Sequence, residues 1–341
     1  MTVVVVRSRV FVVLAAVAIV GLAAAILILR DDMRCAGFAG PGVTSEELPA
    51  PAAPGTLRIA TWNIRNFPLD ERPQQDDLGF SRRTNICDLE DVLSALDADL
   101  LGLAEIGDKR RFPPILRRAT GDARYGIRFS SHGGRWGQMI ALAWNMDRLE
   151  LVGEPFEVPG VALDPSLRPA LGAWFRSVDE PGLSFAAVQV HLAATPRGFD
   201  ERQRQYDRLV EWARAAADER GEVRLVVMGD FNTTGWPDGS TNQELELLDS
   251  VFATAGFGRL PNATGCTEYW EGRGDRDGVQ VPALLDLVYV RGLESWSPSR
   301  AQSWLHCRRL SCGQMISIKG REDGTFWDVS DHCPVTFDLD L

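Results

Sequence analysis

Eight short apolar runs constrain the fold of this chain more than any other feature. They read LRIATWNI, LLGLAEI, QMIALAW, LGAWF, FAAVQVHL, VRLVVMGDF, LLDLVYV and VTFDLDL, all between Leu57 and Leu341. Each has strand length and is rich in β-forming residues. Helical spacing of apolar residues is confined to Arg82–Leu96, Asp200–Arg220 and Asn242–Ala255. Strands therefore outnumber helices by more than two to one, which disfavours a barrel in which every strand needs its own helix. The expected class is α/β (α+β), a two-sheet β-sandwich flanked by helices.

The first 34 residues have a different character. Arg7 and Arg9 precede an unbroken apolar run from Val10 to Leu29, close to the roughly 20 residues a membrane-crossing helix needs. A cleaved secretory signal has a shorter apolar region, about 7–15 residues. The expectation is a transmembrane signal anchor over 1–34. Arg30 and Arg34 after the span balance the two arginines before it, so basic residues alone give no orientation. With the N-terminus inside, the rest of the chain is extracytoplasmic, or secreted if the segment is cleaved. Residues 35–56, CAGFAGPGVTSEELPAPAAPGT, read as an extended linker. A single catalytic domain then spans 57–341, as a monomer. Six cysteines fit an oxidising compartment, and Cys307 and Cys312 lie close enough in sequence to pair.

Residues able to bind metal or move protons stand at the ends of the apolar runs. Asn63 ends the first, Glu105 the second and His191 a later one. Asp230 and Asn232 follow LVVM, Asp286 lies in LLDLVYV, and Asp331 and His332 precede the final run. Each has an ordinary explanation when taken singly. Asp230 and Asn232 could form an Asx turn, His191 could be a satisfied core histidine, and Glu105 a solvated loop carboxylate. Together they are harder to dismiss, because a strand end has little use for a carboxylate that is neither solvated nor coordinated.

The ordered set TWNIRNF, LLGLAEI, VQVHLAA, MGDFN, LLDLVYV and SDHCPV resembles the endonuclease/exonuclease/phosphatase family, which includes deoxyribonuclease I-like and exonuclease III-like enzymes. The resemblance runs from Leu57 to Leu341 and implies a two-sheet sandwich that hydrolyses phosphate esters. It implies Asn63, Glu105 and Asp331 as holders of Mg²⁺ or Mn²⁺, with Ca²⁺ also possible for oxygen donors. It implies that Asp286 orients His332, which activates water, and that His191 serves the leaving oxygen. Asp230 and Asn232 would bind phosphate or orient the nucleophile, and Arg168 resembles a family arginine near the site. The acidic partner expected for His191 has no counterpart visible in the sequence.

Substrate is less constrained, because the family includes nucleases, sphingomyelinases and phosphoinositide phosphatases. The net charge of -11 argues against a polyanion wrapped over the whole surface. A local exception runs from Gly107 to Arg135, where Lys109, Arg110, Arg111, Arg117, Arg118, Arg124, Arg128 and Arg135 face only Asp108 and Asp122. Arg110, Arg111 and the stacking residues Tyr125 and Trp136 are candidate contacts to nucleic acid. The expectation is a nonspecific DNA endonuclease. The alternatives are a membrane-lipid phosphodiesterase or phosphatase of the same fold, and a non-catalytic binding module.

Overall fold

The computed structural model describes residues 43–68, 84–121, 123–221, 223–272, 278–317 and 324–341. In chain order the first half contains β1 (Thr56–Phe67), α1 (Ile86–Leu96), β2 (Leu100–Ile106), α2 (Phe112–Thr120), β3 (Tyr125–Phe129), β4 (Met139–Asn145), β5 (Leu149–Glu157), β6 (Leu171–Ser177) and β7 (Ser184–His191). The second half adds α3 (Phe199–Arg220), β8 (Leu225–Asp230), α4 (Thr241–Ala253), β9 (Gly258–Arg259), β10 (Glu268–Trp270), β11 (Val279–Ala283) and β12 (Asp286–Arg291). It ends with β13 (Gln302–Ser303), α5 (Leu305–Arg309), β14 (Ile316–Ser317), α6 (Gly324–Asp328) and β15 (Val335–Asp340).

Two six-stranded sheets, ordered β13-β15-β1-β2-β4-β3 and β5-β6-β7-β8-β12-β9, carry the architecture, and β10-β11-β14 form a small third sheet. Period-2 alternation explains how the layers separate. Leu57 and Ile59 of β1 turn inward to meet Phe175, Phe185, Val226 and Met228 of the second sheet. Ala60 and Trp62 face the other way, onto Leu89, Val92, Leu96, Phe112 and Ile115 of α1 and α2. Leu225 and Val227 of β8 likewise turn outward onto Tyr206, Leu209, Leu245 and Leu248 of α3 and α4. Full burial of each such side chain stabilises by about 1.5–3 kcal/mol. The order of layers is helix, sheet, sheet, helix, as the apolar runs require.

Helix boundaries follow local chemistry. Asn85 caps α1, its Oδ1 accepting from Cys87 N and Asp88 N. Ser240 and Gln243 form a capping box on α4. The second helix, α2, was not visible as a periodic stretch. Its Pro113 and Pro114 occupy the first turn, where a missing N–H costs nothing.

Several expectations are corrected. Within the stretch 35–56, read as a linker, the segment around Glu47 touches the domain. Glu47 is buried, takes a hydrogen bond from Arg309 Nε at 2.8 Å, and offers its carbonyl to Leu305 N at 2.8 Å. Val43 and Leu48 join the apolar layer beneath α1. Cys307 does not pair with Cys312. The disulfides are Cys266–Cys312 and Cys307–Cys333, and Cys87 is also disulfide-bonded. The short helix α5 carries Cys307 while Cys312 lies beyond its end, so the two reach different neighbours. The expected anchor over residues 1–34 lies outside the described residues. Among those described, no helix is long and apolar enough to cross a membrane.

Behind the small third sheet, His306 is fully buried against Tyr269 and Phe326. It forms a close group with Cys307 and Cys333, but those sulfurs are bonded to each other and cannot ligate a metal as thiolates. Burial pushes the imidazole down to about 3. Its folded value lies below the unfolded one, so the stability it contributes is complete above about pH 6.5 and is lost as pH falls towards 3. Over that window acidification is expected to cost about 1.4 kcal/mol per pH unit at this residue. Urea titrations at stepped pH should show His306→Gln to be less acid-sensitive than wild type. Equal acid sensitivity would refute this account.

Candidate active site

Strand direction explains how residues far apart in sequence meet. β1 runs parallel to β2, and β7 parallel to β8. Asn63, Glu105, His191 and Asp230 therefore arrive at the C-terminal ends of strands. β12 is antiparallel to β8, so its first residue, Asp286, stands opposite Asp230. β15 is antiparallel to β1, with Val335 opposite Thr61, so the preceding Asp331 and His332 return to the same rim.

Asn63 lies at the centre. Its Nδ2 is 3.2 Å from Glu105 Oε1, 3.1 Å from Asp230 Oδ2 and 3.3 Å from His332 Nε2. Its Oδ1 accepts from Arg65 N at 3.0 Å. The register of β1 breaks between Asn63 and Phe67, and that of β2 between Leu103 and Ile106. At the second break Glu105 has φ +61, a left-handed conformation that a non-glycine residue adopts only under constraint. This irregularity turns its carboxylate to the rim, where Oε2 accepts from Asn66 N at 2.8 Å.

His191 Nε2 is 3.6 Å from Glu105 Oε1 and 3.4 Å from Asp230 Oδ2, while its Nδ1 has no hydrogen-bond partner among the described residues. The acidic partner sought in sequence is thus absent from that nitrogen. Asp230 Oδ1 accepts from Asn232 N at 2.8 Å, and Asn232 Nδ2 donates to Leu192 O at 3.2 Å. Asp286 Oδ2 is 2.8 Å from His332 Nδ1. Ser330 Oγ donates to Asn63 O at 2.8 Å and accepts from His332 N at 3.1 Å, which fixes the SDHCPV turn against β1.

Charge is concentrated here. Burial, and then the neighbouring carboxylate of Asp331, push the Glu105 carboxyl up. Burial also raises Asp230, with Asp286 and Glu268 adding to the effect. Burial pulls His191 well below its usual value, aided by the nearby Arg168 cation. Burial alone would lower His332 too, but the carboxylates of Glu268 and Asp286 overcome it and hold the imidazole well above the ordinary range.

Arg168 reaches the site, close enough for Glu105 and Asp230 to act on its charge. It is buried, and its guanidinium donates to His191 O, Leu192 O and Gln138 Oε1 at 3.2, 3.1 and 2.9 Å. These bonds brace the chain at His191 from behind. Arg110 and Arg111 follow the Glu105 loop, where Asp108 Oδ1 accepts from both backbone N–H groups. Tyr125 is corrected outright. It pairs with Asn145 at the end of β4 opposite Met139, the residue that meets Ile106 beside the rim. Its hydroxyl donates to Ala98 O. The eight basic residues likewise do not form one track, because Arg118 is engaged by Glu90 and Arg124 by Asp147.

Sequence reasoning missed Glu268, which is buried with Oε1 3.3 Å from His332 Nε2. It sits in a three-residue strand with no alternating pattern to flag it. It also missed Gln138, whose Nε2 donates to Asn66 Oδ1 at 2.6 Å and which thereby links the Glu105 loop to Arg168.

The family model described as "Endonuclease/Exonuclease/phosphatase family" matches residues 60–332. No curated protein matches the sequence. Among solved structures, Danio rerio TDP2 complexed with single-strand DNA product aligns with TM-score 0.55 and 15% identity, over 84% of this chain and 99% of that one. The human Nocturnin catalytic domain with bound sulfate gives 0.53 and 15%, over 84% and 94%. An endonuclease/exonuclease/phosphatase family protein from Bacteroides thetaiotaomicron gives 0.52 and 16%, over 83% and 94%. At these identities the structural likeness establishes the fold.

Proposed function

The chain belongs to the endonuclease/exonuclease/phosphatase family, and from that premise we propose that it is a divalent-metal-dependent phosphodiesterase acting outside the cytoplasm, with nucleic acid as its substrate. The observation that carries the reading is the convergence on Asn63 of Glu105, Asp230 and the Asp286–His332 pair.

The donor set suits a hard cation. Glu105 and Asp331 bring two carboxylates close enough for one to raise the other, and a divalent ion relieves that repulsion. Glu105 and Asp331 would hold Mg²⁺ or Mn²⁺, with Asn63 Oδ1 as a further donor once the amide turns from Arg65 N towards the carboxylates. Bound there, the ion supplies charge neutralisation on a phosphoryl oxygen. Asp286 fixes His332 through Nδ1 and leaves Nε2 to exchange a proton with the attacking water or the phosphate. Asn232 and Asp230 orient the nucleophile, and His191 faces the leaving oxygen. Lys109 and Arg110 follow Glu105 closely in sequence, and the highly exposed Trp136 lies two residues before Gln138, which bonds Asn66; these residues suit a phosphate backbone with stacked bases. A TDP2 relative of this fold is described with a single-strand DNA product, which favours nucleic acid over lipid. The disulfides favour an oxidising compartment.

The test is supercoiled plasmid incubated with the purified chain and Mg²⁺ or Mn²⁺. Nicking that EDTA abolishes is the expected result. No nicking under either metal would refute the nuclease reading and turn the search to sphingomyelin vesicles.

A further inference from the structure

His332 meets a carboxylate at each ring nitrogen. Asp286 Oδ2 is 2.8 Å from Nδ1, and Glu268 Oε1 is 3.3 Å from Nε2. Nε2 is the nitrogen that faces the converged residues, with Asn63 Nδ2 at 3.3 Å and Asp230 Oδ2 at 3.8 Å. A phosphate reaching His332 therefore arrives beside Glu268.

Glu268 is held firmly in that position. Cys333 N donates to Thr267 O at 2.8 Å and Tyr269 N to Asp331 O at 3.1 Å, so residues 267–269 form a short antiparallel ladder with the chain around His332. Thr267 Oγ1 accepts from Leu285 N at 2.9 Å and Asp286 N at 2.8 Å. Glu268 also pairs with Ala283 across the β10–β11 hairpin. Cys266, two residues upstream, is tied to Cys312. The side chain is 10% exposed, and its Oε2 has no hydrogen-bond partner among the described residues. A surface carboxylate could swing away from an incoming anion, whereas this one is buried against His332 on a backbone held from three sides.

We propose that Glu268 is a specificity-determining residue that makes the site a diesterase rather than a monoesterase. The inference rests on the phosphoester-hydrolase reading and deepens it. A phosphodiester carries one negative charge. A monoester carries nearly two at neutral pH, its second ionisation lying near pH 6. Each added charge increases repulsion from a fixed carboxylate, and a largely buried carboxylate is poorly screened. Discrimination then comes from a repulsive element aimed at the wrong substrate.

The experiment compares the full chain with Glu268→Gln at pH 8 in Mg²⁺, using bis(4-nitrophenyl) phosphate and 4-nitrophenyl phosphate. The ratio of kcat/KM for diester over monoester is expected to fall at least about tenfold in the variant. Glu268→Asp, which retains the charge, should keep most of the preference. Calorimetric binding of dimethyl phosphate and methyl phosphate reads the same selection without turnover. An unchanged preference in both assays, with the variant folded by circular dichroism, overturns the proposal. A binding preference lost in Glu268→Gln by a chain that hydrolyses neither ester would leave charge selection standing and refute the hydrolase reading instead. Should Glu268→Gln fail to fold, Glu268→Ser removes the same charge and is read by the same two ratios.

Discussion

Replacing His332 by alanine is expected to lower kcat by at least about 10²-fold, with KM nearly unchanged. The imidazole is held by Asp286 at Nδ1 and presents Nε2 to Asn63 and Asp230. Its contribution therefore belongs to the transition state rather than to ground-state binding. The substitution also leaves Asp286 and Glu268 facing each other without the ring between them, so the variant should melt earlier than wild type. Activity must be read below that melting point and corrected for folded fraction. Glu105→Gln supplies a cleaner comparison, since it keeps the shape and the contact to Asn66 N while weakening the carboxylate pair with Asp331. It should lose activity to a similar degree and require more Mg²⁺ for half-maximal rate. Near-normal turnover in either folded variant would sink the site assignment.

The largest stability effect should come from a residue outside the chemistry. Arg202 of α3 and Glu244 of α4 are both fully buried and form a two-pronged pair at 2.7 and 2.9 Å. The remaining guanidinium hydrogens go to Ala193 O, Thr195 O and Gly235 O. Glu244 also accepts from Gly235 N at 2.6 Å and Tyr206 Oη at 2.8 Å. Every donor of the arginine is satisfied, so the pair is complete as it stands. Glu244→Ala leaves a buried guanidinium without its counter-charge and should cost about 3–5 kcal/mol by denaturant titration. The double change Arg202→Met with Glu244→Leu should recover much of that loss, because no charge is then stranded. A loss below about 1 kcal/mol in the single variant would show that water or a neighbour replaces the partner. The network grips the loops that follow His191 and Asn232, so the same variant should also blunt activity in the fraction that stays folded.

Much of this architecture was legible before any coordinates. The runs around Leu57, Leu225 and Val335 became central strands because alternation and length leave few other solutions. The long amphipathic stretch Asp200–Arg220 became α3 with its start shifted by one residue. The motif order brought together eight residues, from Asn63 to His332, that sheet topology then gathers on one rim. What sequence hid has physical causes. Tyr125 shares a basic stretch with Arg110 and Arg111, but strand reversal carries it to the opposite end of its sheet. Pro113 and Pro114 look like breakers yet begin a helix. Cys307 and Cys312 are neighbours in number only, since pairing depends on where α5 sends each sulfur. Glu268 has no periodic context. Its importance arises from a backbone ladder between segments about sixty residues apart, which no local pattern encodes.

The disulfides Cys266–Cys312 and Cys307–Cys333 both end between Leu305, where α5 opens, and Cys312, and their other ends lie two residues before Glu268 and one after His332. The histidine half of the proposed site is thus tied by disulfides, whereas Asn63 and Glu105 are placed by strands and hydrogen bonds. A newly made chain in a reducing cytosol would carry those strands but not the stitches that align His332. If the substrate is nucleic acid, this is a safety catch. In a chain that is exported, as proposed, the rim would then be complete only where the maker's own genome is out of reach.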